Sequence, residues 1–422
     1  MKNYLPRIAD KLLEDALEVS GAVLIEGPKW CGKTRTAKEH ANSELYMQDP
    51  DNRISYLQTA NIKPSLLLKG AAPRLIDEWQ VAPVLWDAVR HEVDLRDDVG
   101  QFILTGSVVP ILDESITHTG TGRISRIKMR PMSLYESKES NGQISLFDLF
   151  SKNRDIESVS SLEIEEIANA IVRGGWPAAV TAKSGAIERR AQDYVEAIIN
   201  ADISRVDGVE KNPNKVEALL RSIARNTSTE ASFETLRKDL DGGGNASISY
   251  PTLLSYINAL QRIFVIEDLE AWNPSVRSKT PLRTTPKRHF IDPSIASASL
   301  GINSDQLLHD FKTFGFLFES LCIRDLRIYA GSLGGKVYHY RDKSGFECDA
   351  VVVLRDGRWG AIEIKLGSFE FDKATENLLK LQEKIDLNKM NRPSFLMILT
   401  GTEFGYVNDR DILVVPLGCL KE

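Results

Sequence analysis

The chain has 422 residues, of which 42% are hydrophobic and 27% charged, and its formal net charge at pH 7 is −6. This length predicts roughly two to four domains, and the negative charge excludes a surface that attracts nucleic acid as a whole. No uncharged apolar stretch reaches the roughly 18 residues of a membrane span. Since the charged N-terminus is also unlike a secretory signal, we expect a cytoplasmic protein with no membrane partner.

Strand-like and helix-like stretches alternate over residues 1–135. A predicted helix from Ile8 to Val19 leads into the strand AVLIEG, a glycine-containing loop and a helix that begins at Lys33. Further strands are predicted at LYMQ, RLID, FILTG and RISRIKM. Strands that alternate with helices are typical of a parallel α/β sheet, so the N-terminal fold class is α/β.

Residues 27–34 read GPKWCGKT, a complete P-loop motif between a strand and a helix. Backbone N–H groups in such a loop surround phosphate oxygens. We expect Lys33 to reach the β- and γ-phosphates and Thr34 to offer its hydroxyl to Mg²⁺; a chance match in a tight turn is the disfavoured alternative. The predicted ATP-binding residues around the loop are Gly27, Pro28, Lys29, Trp30, Cys31, Gly32, Lys33, Thr34 and Arg35.

Two further strand ends carry candidate catalytic groups. In RLIDEWQ, Asp77 is placed to hold Mg²⁺ and Glu78 to polarise the attacking water, although two acids that cap the next helix are the alternative. In FILTGS, Thr105 or Ser107 is predicted to sense the γ-phosphate if this strand lies between the other two. An ordinary turn explains the Thr-Gly-Ser sequence equally well.

Arginines follow in TGTGRISR. Arg123 or Arg126 is a candidate for stabilising the transition-state charge, in the same subunit or across a homo-oligomer. A surface charge without a catalytic role is an equally good interpretation.

The middle of the chain has the element order of a winged helix-turn-helix. Residues 212–273 show three helical patterns followed by a strand, which makes the third helix, Tyr250 to Gln261, the recognition element. That helix is almost devoid of basic residues, which argues against base reading. A basic segment at 274–290 is instead the predicted DNA contact, with Arg277, Lys279, Arg283, Lys287 and Arg288 and no acidic residue.

The C-terminal region places charges on apolar elements. ECDAVVVL and WGAIEIKLG flank an Asp-Gly turn, so a hairpin brings Asp349 near Glu363 and Lys365. Glu319 lies in the apolar helix pattern FGFLFESLCIRDL. Carboxylates so grouped are typical ligands of Mg²⁺, and a lysine beside them helps to activate water. We predict Glu319, Asp349 and Glu363 as metal ligands; a structural Glu363–Lys365 ion pair is the alternative.

These motifs together resemble, over nearly the whole chain, a bacterial and archaeal family of AAA-type P-loop ATPases with a C-terminal domain of unknown function. The likeness also rests on YLPRI, ILTGS, GRISRIKMRPMSLYE, RGGWP, HFIDPS and GFLFES. It implies an AAA-type ATPase domain with a helical extension at 1–205, a winged helix at 206–285 and a C-terminal domain at 286–422 that is similar to PD-(D/E)xK nucleases. Gly32, Lys33 and Thr34 match the nucleotide loop, Asp77 and Glu78 the Walker-B pair, and Asp349, Glu363 and Lys365 the nuclease core.

The function that these patterns predict is Mg²⁺-dependent ATP hydrolysis coupled to a C-terminal module that acts on DNA. The alternative is an ATP-dependent regulatory switch whose nuclease-like part is an inactive scaffold. A small-molecule kinase is disfavoured because Glu78 stands beside Asp77.

Overall fold

The computed structural model describes residues 4–108, 120–151, 155–182, 187–204, 206, 208–241, 248–274, 284–386 and 390–422. Contacts divide the chain into two compact units. The N-terminal unit comprises Met1–Pro131, Asp202–Glu210 and Asn258–Phe264, and the C-terminal unit comprises Met132–Ala201, Lys211–Ile257 and Val265–Glu422. Residues 132–201 thus group with the C-terminal unit, and the three domains expected from sequence stay a prediction.

The N-terminal unit is built from alternating helices and strands, as predicted. Asp10 accepts a hydrogen bond from the backbone N–H of Arg7 at 2.7 Å and so caps the first helix. The elements are α1 (Ile8–Val19), β1 (Ala22–Glu26), α2 (Lys33–Glu39), β2 (Ser43–Tyr46), α3 (Arg53–Ile62), β3 (Arg74–Asp77), α4 (Val84–Arg96), β4 (Phe102–Gly106) and β5 (Ile124–Lys128).

These strands form a parallel sheet in the order β2-β3-β4-β1-β5, which confirms the predicted α/β class. The central strands β1 and β4 are almost entirely buried and apolar, as expected for a sheet covered on both faces. Strand β4 lies between β1 and β3, the arrangement on which the prediction for Thr105 and Ser107 depended. Strand β2 begins two residues earlier than the predicted LYMQ strand.

The C-terminal unit opens with short elements and helices. Residues 144–159 contain a short helix and two short strands. From residue 132 to residue 309 the elements of the chain are, in order, β6 (Ile144–Ser145), α5 (Leu146–Phe150), β7 (Ser158–Val159), α6 (Ile164–Arg173), α7 (Pro177–Val180), α8 (Ile187–Ala197), α9 (Pro213–Arg225), α10 (Phe233–Asp241), α11 (Tyr250–Arg262, whose last residues belong to the N-terminal unit), β8 (Ile266–Leu269), β9 (Lys287–Phe290), α12 (Pro293–Leu300) and α13 (Ser304–His309).

The three predicted helices of the middle region are present as α9, α10 and α11. Strand β8 follows them and pairs with β9 in antiparallel register, Leu269 opposite Lys287 and Ile266 opposite Phe290. All four residues of β9 are buried. The element order is that of the predicted winged helix; the assignment to that fold stays a prediction.

A larger sheet forms the rest of the C-terminal unit. Its order is β10-β11-β12-β13-β15-β14-β7. Strands β10, β11 and β12 are antiparallel neighbours, which confirms the predicted hairpin, whereas β13 runs parallel to β12. The elements are α14 (Phe311–Ser332), β10 (Lys336–Arg341), β11 (Glu347–Val353), β12 (Trp359–Lys365), α15 (Phe371–Lys384), β13 (Phe395–Thr400), β14 (Phe404–Val407), β15 (Leu413–Pro416) and β16 (Leu420–Lys421).

The longest helix, α14, has apolar residues around most of its circumference and is buried along much of its length. A helix of this kind belongs to a protein core. Within the described ranges, no helix combines the length and the apolar character needed to cross a bilayer.

Candidate functional site

The P-loop joins the end of β1 to the start of α2, as predicted. Gly32 precedes the helix with a φ of 104°, a backbone conformation that favours glycine. A Cβ atom at Gly27 would lie 2.1 Å from the carbonyl oxygen of Met129, so only glycine fits there. Because α2 begins at Lys33, its first backbone N–H groups have no partner within the helix and are oriented to bind an anion.

Lys33 is folded back over this loop. Its ammonium donates hydrogen bonds to the carbonyl oxygens of Gly27 at 3.0 Å and Pro28 at 2.7 Å, and the residue is only 5% exposed. A buried ammonium is costly unless it is hydrogen-bonded. The loop carbonyls therefore hold the positive charge at the place where phosphate oxygens are expected.

Asp77 is the centre of a small hydroxyl and carboxylate cluster at the sheet edge. Its Oδ1 accepts hydrogen bonds from the hydroxyls of Thr34 and Thr105, each at 2.7 Å. Hard oxygen donors of this kind suit Mg²⁺, which is usually held by one or two protein oxygens, phosphate oxygens and water. The side chains of Thr34 and Asp77 therefore fit a magnesium ion.

Glu78 follows Asp77 with a φ of 56°, in the left-handed region that non-glycine residues rarely occupy. Its backbone N–H donates to the Thr105 hydroxyl at 3.1 Å, and its Oε2 accepts from Ser107 at 3.1 Å and from the side-chain amide of Gln80. These contacts fix the carboxylate beside the loop. They also show that Thr105 and Ser107 both contact the acidic residues Asp77 and Glu78. Gln80 holds Glu78 as well, and it was not predicted from the sequence although it lies within IDEWQ.

The remaining loop residues make contacts of their own. Lys29 forms an ion pair with Asp202 at 2.6 Å, and Arg35 pairs with Glu39 at 2.7 Å on α2. Trp30 is half-exposed, whereas Cys31 is buried. Roles in ATP binding for these four residues stay predictions.

The two candidate arginines lie on or beside β5 and are half-exposed. Arg123 forms an ion pair with Asp94 of α4 at 2.8 Å, and Arg126 approaches Glu26 at 3.4 Å. Each arginine thus has a carboxylate partner in its own chain, and the catalytic role of either stays a prediction.

Arg7 is a residue of the nucleotide site that sequence reasoning missed. Its guanidinium donates to the carbonyl oxygens of Cys31 and Arg130, both at 2.8 Å, and is buried. It thereby ties the P-loop to the segment after β5. The signal was present in YLPRI, but nothing local in that motif indicates a distant partner.

In the C-terminal unit, the hairpin brings together the three residues predicted from β11 and β12. The Lys365 ammonium lies 2.9 Å from Asp349 Oδ2 and 2.9 Å from Glu363 Oε2. The backbone N–H of Ile364 also donates to Asp349 Oδ2 at 2.8 Å. A lysine bridge between two carboxylates is the observed arrangement.

Glu319 is linked to these residues by Lys287, which was assigned from the sequence to the predicted DNA contact. The Lys287 ammonium lies 3.0 Å from Glu319 Oε1 and 3.9 Å from Asp349 Oδ1, and its side chain is 5% exposed. Glu347, on the same strand as Asp349, pairs with Arg341 at 2.8 Å. We use the name carboxylate cluster for Glu319, Asp349, Glu363, Lys287 and Lys365.

The basic segment predicted to contact DNA needs a correction. Lys287 and Arg288 lie in the buried strand β9, and Arg288 pairs with Asp268 at 3.0 Å. Their charges are satisfied inside the unit because a strand buried on both faces leaves no water to solvate them. Arg277, Lys279 and Arg283 lie outside the described residues.

Burial and charge shift the pKa values of these carboxyl groups in opposite directions. Burial raises the pKa of Glu363 to about 8 and that of Glu319 to about 7, with the Asp349 charge adding to both. Burial also disfavours the Asp349 anion, but the Lys365 and Lys287 ammonium groups outweigh it and lower the pKa of Asp349. Asp349 is therefore the anion around which the cluster is organised.

This cluster does not fit a magnesium ion. Of the predicted ligands, Asp349 and Glu363 contact the Lys365 ammonium, and Glu319 contacts the Lys287 ammonium. Within the part of the chain that the structure describes, no group of three or more His, Cys, Asp or Glu side chains is arranged to hold a metal.

RGGWP and HFIDPS meet in a second buried network. Asp292 accepts hydrogen bonds from the Gly175 backbone at 3.0 Å and from Arg324 at 2.9 Å. Arg324 also contacts Asp325, whose carboxylate accepts from the Leu134 backbone at 2.9 Å. These motifs are therefore accounted for by the packing of the C-terminal unit.

Three family models match separate parts of the chain. Residues 19–138 match an AAA domain, residues 164–306 a domain of unknown function (DUF8612), and residues 314–420 another domain of unknown function (DUF4143). No curated protein matches the chain. The AAA match, together with the P-loop geometry, supports nucleotide binding.

Solved structures similar to this chain include the Walker-type ATPase paby2304 of Pyrococcus abyssi. That likeness has 14% identity and a TM-score of 0.42, and it covers 70% of this chain and 96% of the other. AMPPCP-bound DnaA from Aquifex aeolicus is another, with 15% identity, a TM-score of 0.25, and coverage of 62% and 89%.

Proposed function

We propose that the N-terminal unit binds ATP with Mg²⁺ and hydrolyses it. The observation that carries this proposal is the shared hydrogen bonding of Asp77 Oδ1 with Thr34 and Thr105 beside the P-loop lysine. Lys33 and the loop N–H groups bind the phosphates, and Thr34 and Asp77 hold the ion. When bound, Mg²⁺ neutralises charge that develops on the phosphate oxygens.

In this proposal Glu78 positions the attacking water and accepts its proton. The Ser107 hydroxyl and the Gln80 amide hold its carboxylate from one side, so that the carboxylate has one orientation beside the loop. A positioned base of this type typically contributes about 10²–10⁴-fold to the rate.

The experiment is ATP binding and turnover in two variants. Lys33→Ala is expected to abolish ATP binding, and Glu78→Gln to retain binding while turnover falls about 10²-fold or more. Lys38→Ala is the matched control, because Lys38 lies on the same helix but pairs at the surface with Glu44. Wild-type hydrolysis by both Lys33→Ala and Glu78→Gln would refute the proposal.

We also propose that α14, β10, β11, β12, α15 and β13 form a fold of the PD-(D/E)xK type. What supports it is the order of helix, three antiparallel strands, helix and parallel strand. Asp349 lies on β11, and Glu363 and Lys365 lie on β12. Lys365 and Lys287 each lie between two carboxylates of the cluster. These contacts favour the alternative function predicted from the sequence, a nuclease-like scaffold controlled by the ATPase.

Action on DNA is the finer part of this proposal, through the predicted winged helix at 206–285 and the basic residues Arg277, Lys279 and Arg283. The test measures the ATPase rate with and without duplex DNA and, in parallel, incubates supercoiled DNA with the protein, ATP and Mg²⁺. Stimulation without cleavage supports a DNA-directed scaffold. Cleavage that Asp349→Ala abolishes overturns the scaffold, and an unchanged rate overturns the action on DNA.

A further inference from the structure

The carboxylate cluster collects its charges from four elements of the C-terminal unit. Glu319 comes from α14, Asp349 from β11, Glu363 and Lys365 from β12, and Lys287 from β9. Lys287 lies between Glu319 and Asp349, with ammonium-to-oxygen distances of 3.0 and 3.9 Å. Its ammonium thus faces two of the three carboxylates that would have to ligate a metal.

We propose that Lys287 is a built-in cation that excludes divalent metal from the carboxylate cluster. The inference deepens the scaffold proposal above and does not depend on ATP hydrolysis by the N-terminal unit. It implies that Glu319, Asp349 and Glu363 form a latent divalent-cation site, which becomes available when the Lys287 ammonium is removed.

Charge balance gives the first reason. The three carboxyl groups carry at most three negative charges, and Lys287 and Lys365 supply two positive ones. A divalent ion added to this set leaves a net positive charge in a buried place, which is costly. Without Lys287, the remaining charge of the three carboxylates and Lys365 is balanced by one divalent ion.

The position of Lys287 gives the second reason. Its backbone is held in β9 by pairing with Leu269 of β8, and its side chain is almost completely buried. An ammonium that left Glu319 while it remained in this interior would lose its partner, at a cost of several kcal/mol. A metal ion therefore cannot displace Lys287 in the way that it displaces a flexible surface lysine.

The experiment titrates Mn²⁺ into the full-length, nucleotide-free protein and follows free Mn²⁺ by electron paramagnetic resonance. Wild type is compared with Lys287→Met, with Lys287→Met combined with Asp349→Asn, and with Lys384→Met. The last variant is the control, because Lys384 pairs with Asp342 at 2.7 Å near the surface. Any Mn²⁺ held at Thr34 and Asp77 is common to all four proteins.

We expect Lys287→Met to gain one Mn²⁺ site at least about tenfold tighter than any site in wild type. The double variant is expected to lose it, and Lys384→Met to bind like wild type. No gain in Lys287→Met overturns the proposal, as does Mn²⁺ binding by wild type that Asp349→Asn removes.

If circular dichroism shows that Lys287→Met does not fold, thermal unfolding of the wild type decides. A melting temperature unchanged by Mn²⁺ supports exclusion of the metal, whereas stabilisation by Mn²⁺ that Asp349→Asn abolishes overturns it. Lys33→Ala is expected to leave these results unchanged. Failure of the ATPase proposal and failure of this one are therefore distinguishable.

Discussion

Thr105 donates a hydrogen bond of 2.7 Å from its hydroxyl to Asp77 Oδ1, which ties the end of β4 to the end of β3. The same hydroxyl accepts from the backbone N–H of Glu78 at 3.1 Å. One threonine therefore positions both acidic residues of the proposed ATPase site.

We expect Thr105→Val to lower the turnover number for ATP about tenfold while ATP affinity changes little. The methyl group that replaces the hydroxyl can neither donate to Asp77 nor accept from Glu78, and small misplacements of catalytic groups are costly. Steady-state kinetics and equilibrium nucleotide binding measure the two effects. Thr105→Ser, which keeps the hydroxyl, is the control, and an unchanged turnover number in Thr105→Val would contradict this role.

A second prediction concerns Arg123. Its ion pair with Asp94 lies at the surface, where such pairs contribute about 0–1 kcal/mol, so the guanidinium can leave Asp94 at little cost. We propose that Arg123 stabilises transition-state charge, and we therefore expect Arg123→Ala to hydrolyse ATP slowly. Arg90→Ala, which removes the other arginine near Asp94, is expected to stay close to wild type.

Mixing shows whether Arg123 acts across subunits of a homo-oligomer. Alone, Lys33→Ala is expected to be inactive and Arg123→Ala to be slow, and their equimolar mixture is expected to recover part of the wild-type rate. Recovery requires an intact P-loop in one subunit and an intact Arg123 in another. If the mixture is no more active than its components, Arg123 acts within its own subunit or has no catalytic role.

The buried Asp292–Arg324 pair predicts a large effect on stability. Arg324→Met leaves the Asp292 and Asp325 carboxylates without their cation in the protein interior, so we expect the free energy of unfolding to fall by about 3–5 kcal/mol. Chemical denaturation of the full-length protein measures this free energy of unfolding. Arg358→Met removes an exposed pair with Asp356 and is expected to cost less than about 1 kcal/mol; an equal loss in both variants would contradict the argument.

His339 makes stability depend on pH. Burial, together with the charges of Lys287 and Arg341, lowers the pKa of His339 to about 3. The unfolded chain, with an ordinary value near 6.5, binds the proton more readily, so this contribution is complete above about pH 6.5 and is lost as the pH falls towards 3. Between pH 7 and pH 5 the expected loss is about 2 kcal/mol.

The measurement compares unfolding free energies at pH 7 and pH 5 in wild type and His339→Leu. The loss of unfolding free energy between pH 7 and pH 5 is expected to be about 2 kcal/mol smaller in His339→Leu than in wild type. His309→Leu is the control, because His309 is exposed on α13. The glutamates of the carboxylate cluster titrate in the same pH range, so the test compares the loss of unfolding free energy in wild type with the loss in His339→Leu. Equal losses in the two proteins would contradict the lowered pKa of His339.

The nucleotide site could be predicted from sequence because its determinants are local. The spacing of GPKWCGKT fixes a loop and a helix start, and buried apolar runs fix the strands whose ends carry Asp77 and Thr105. Parallel strands then bring these ends to one edge. Arg7 escaped prediction since its partners Cys31 and Arg130 are distant in sequence.

The C-terminal unit shows the limit of the same reasoning. The Asp-Gly turn predicted that Asp349, Glu363 and Lys365 lie close together, and they do. The basic composition of 274–290 led us to a surface for DNA, yet β9 buries Lys287 and Arg288 in ion pairs. The composition of a segment does not show whether its side chains are exposed or lie in a strand that is covered on both faces.

By itself, the sequence determined the α/β sheet, the P-loop and the hairpin, because each follows from periodicity and from spacing within a few residues. Only the tertiary structure decided which charges neutralise one another. Lys287 meets Glu319 and Asp349 through the packing of β9, α14 and β11, and no local pattern encodes that meeting. The carboxylates and Lys365 were visible in the sequence, but the second cation that balances them, Lys287, was decided by the fold.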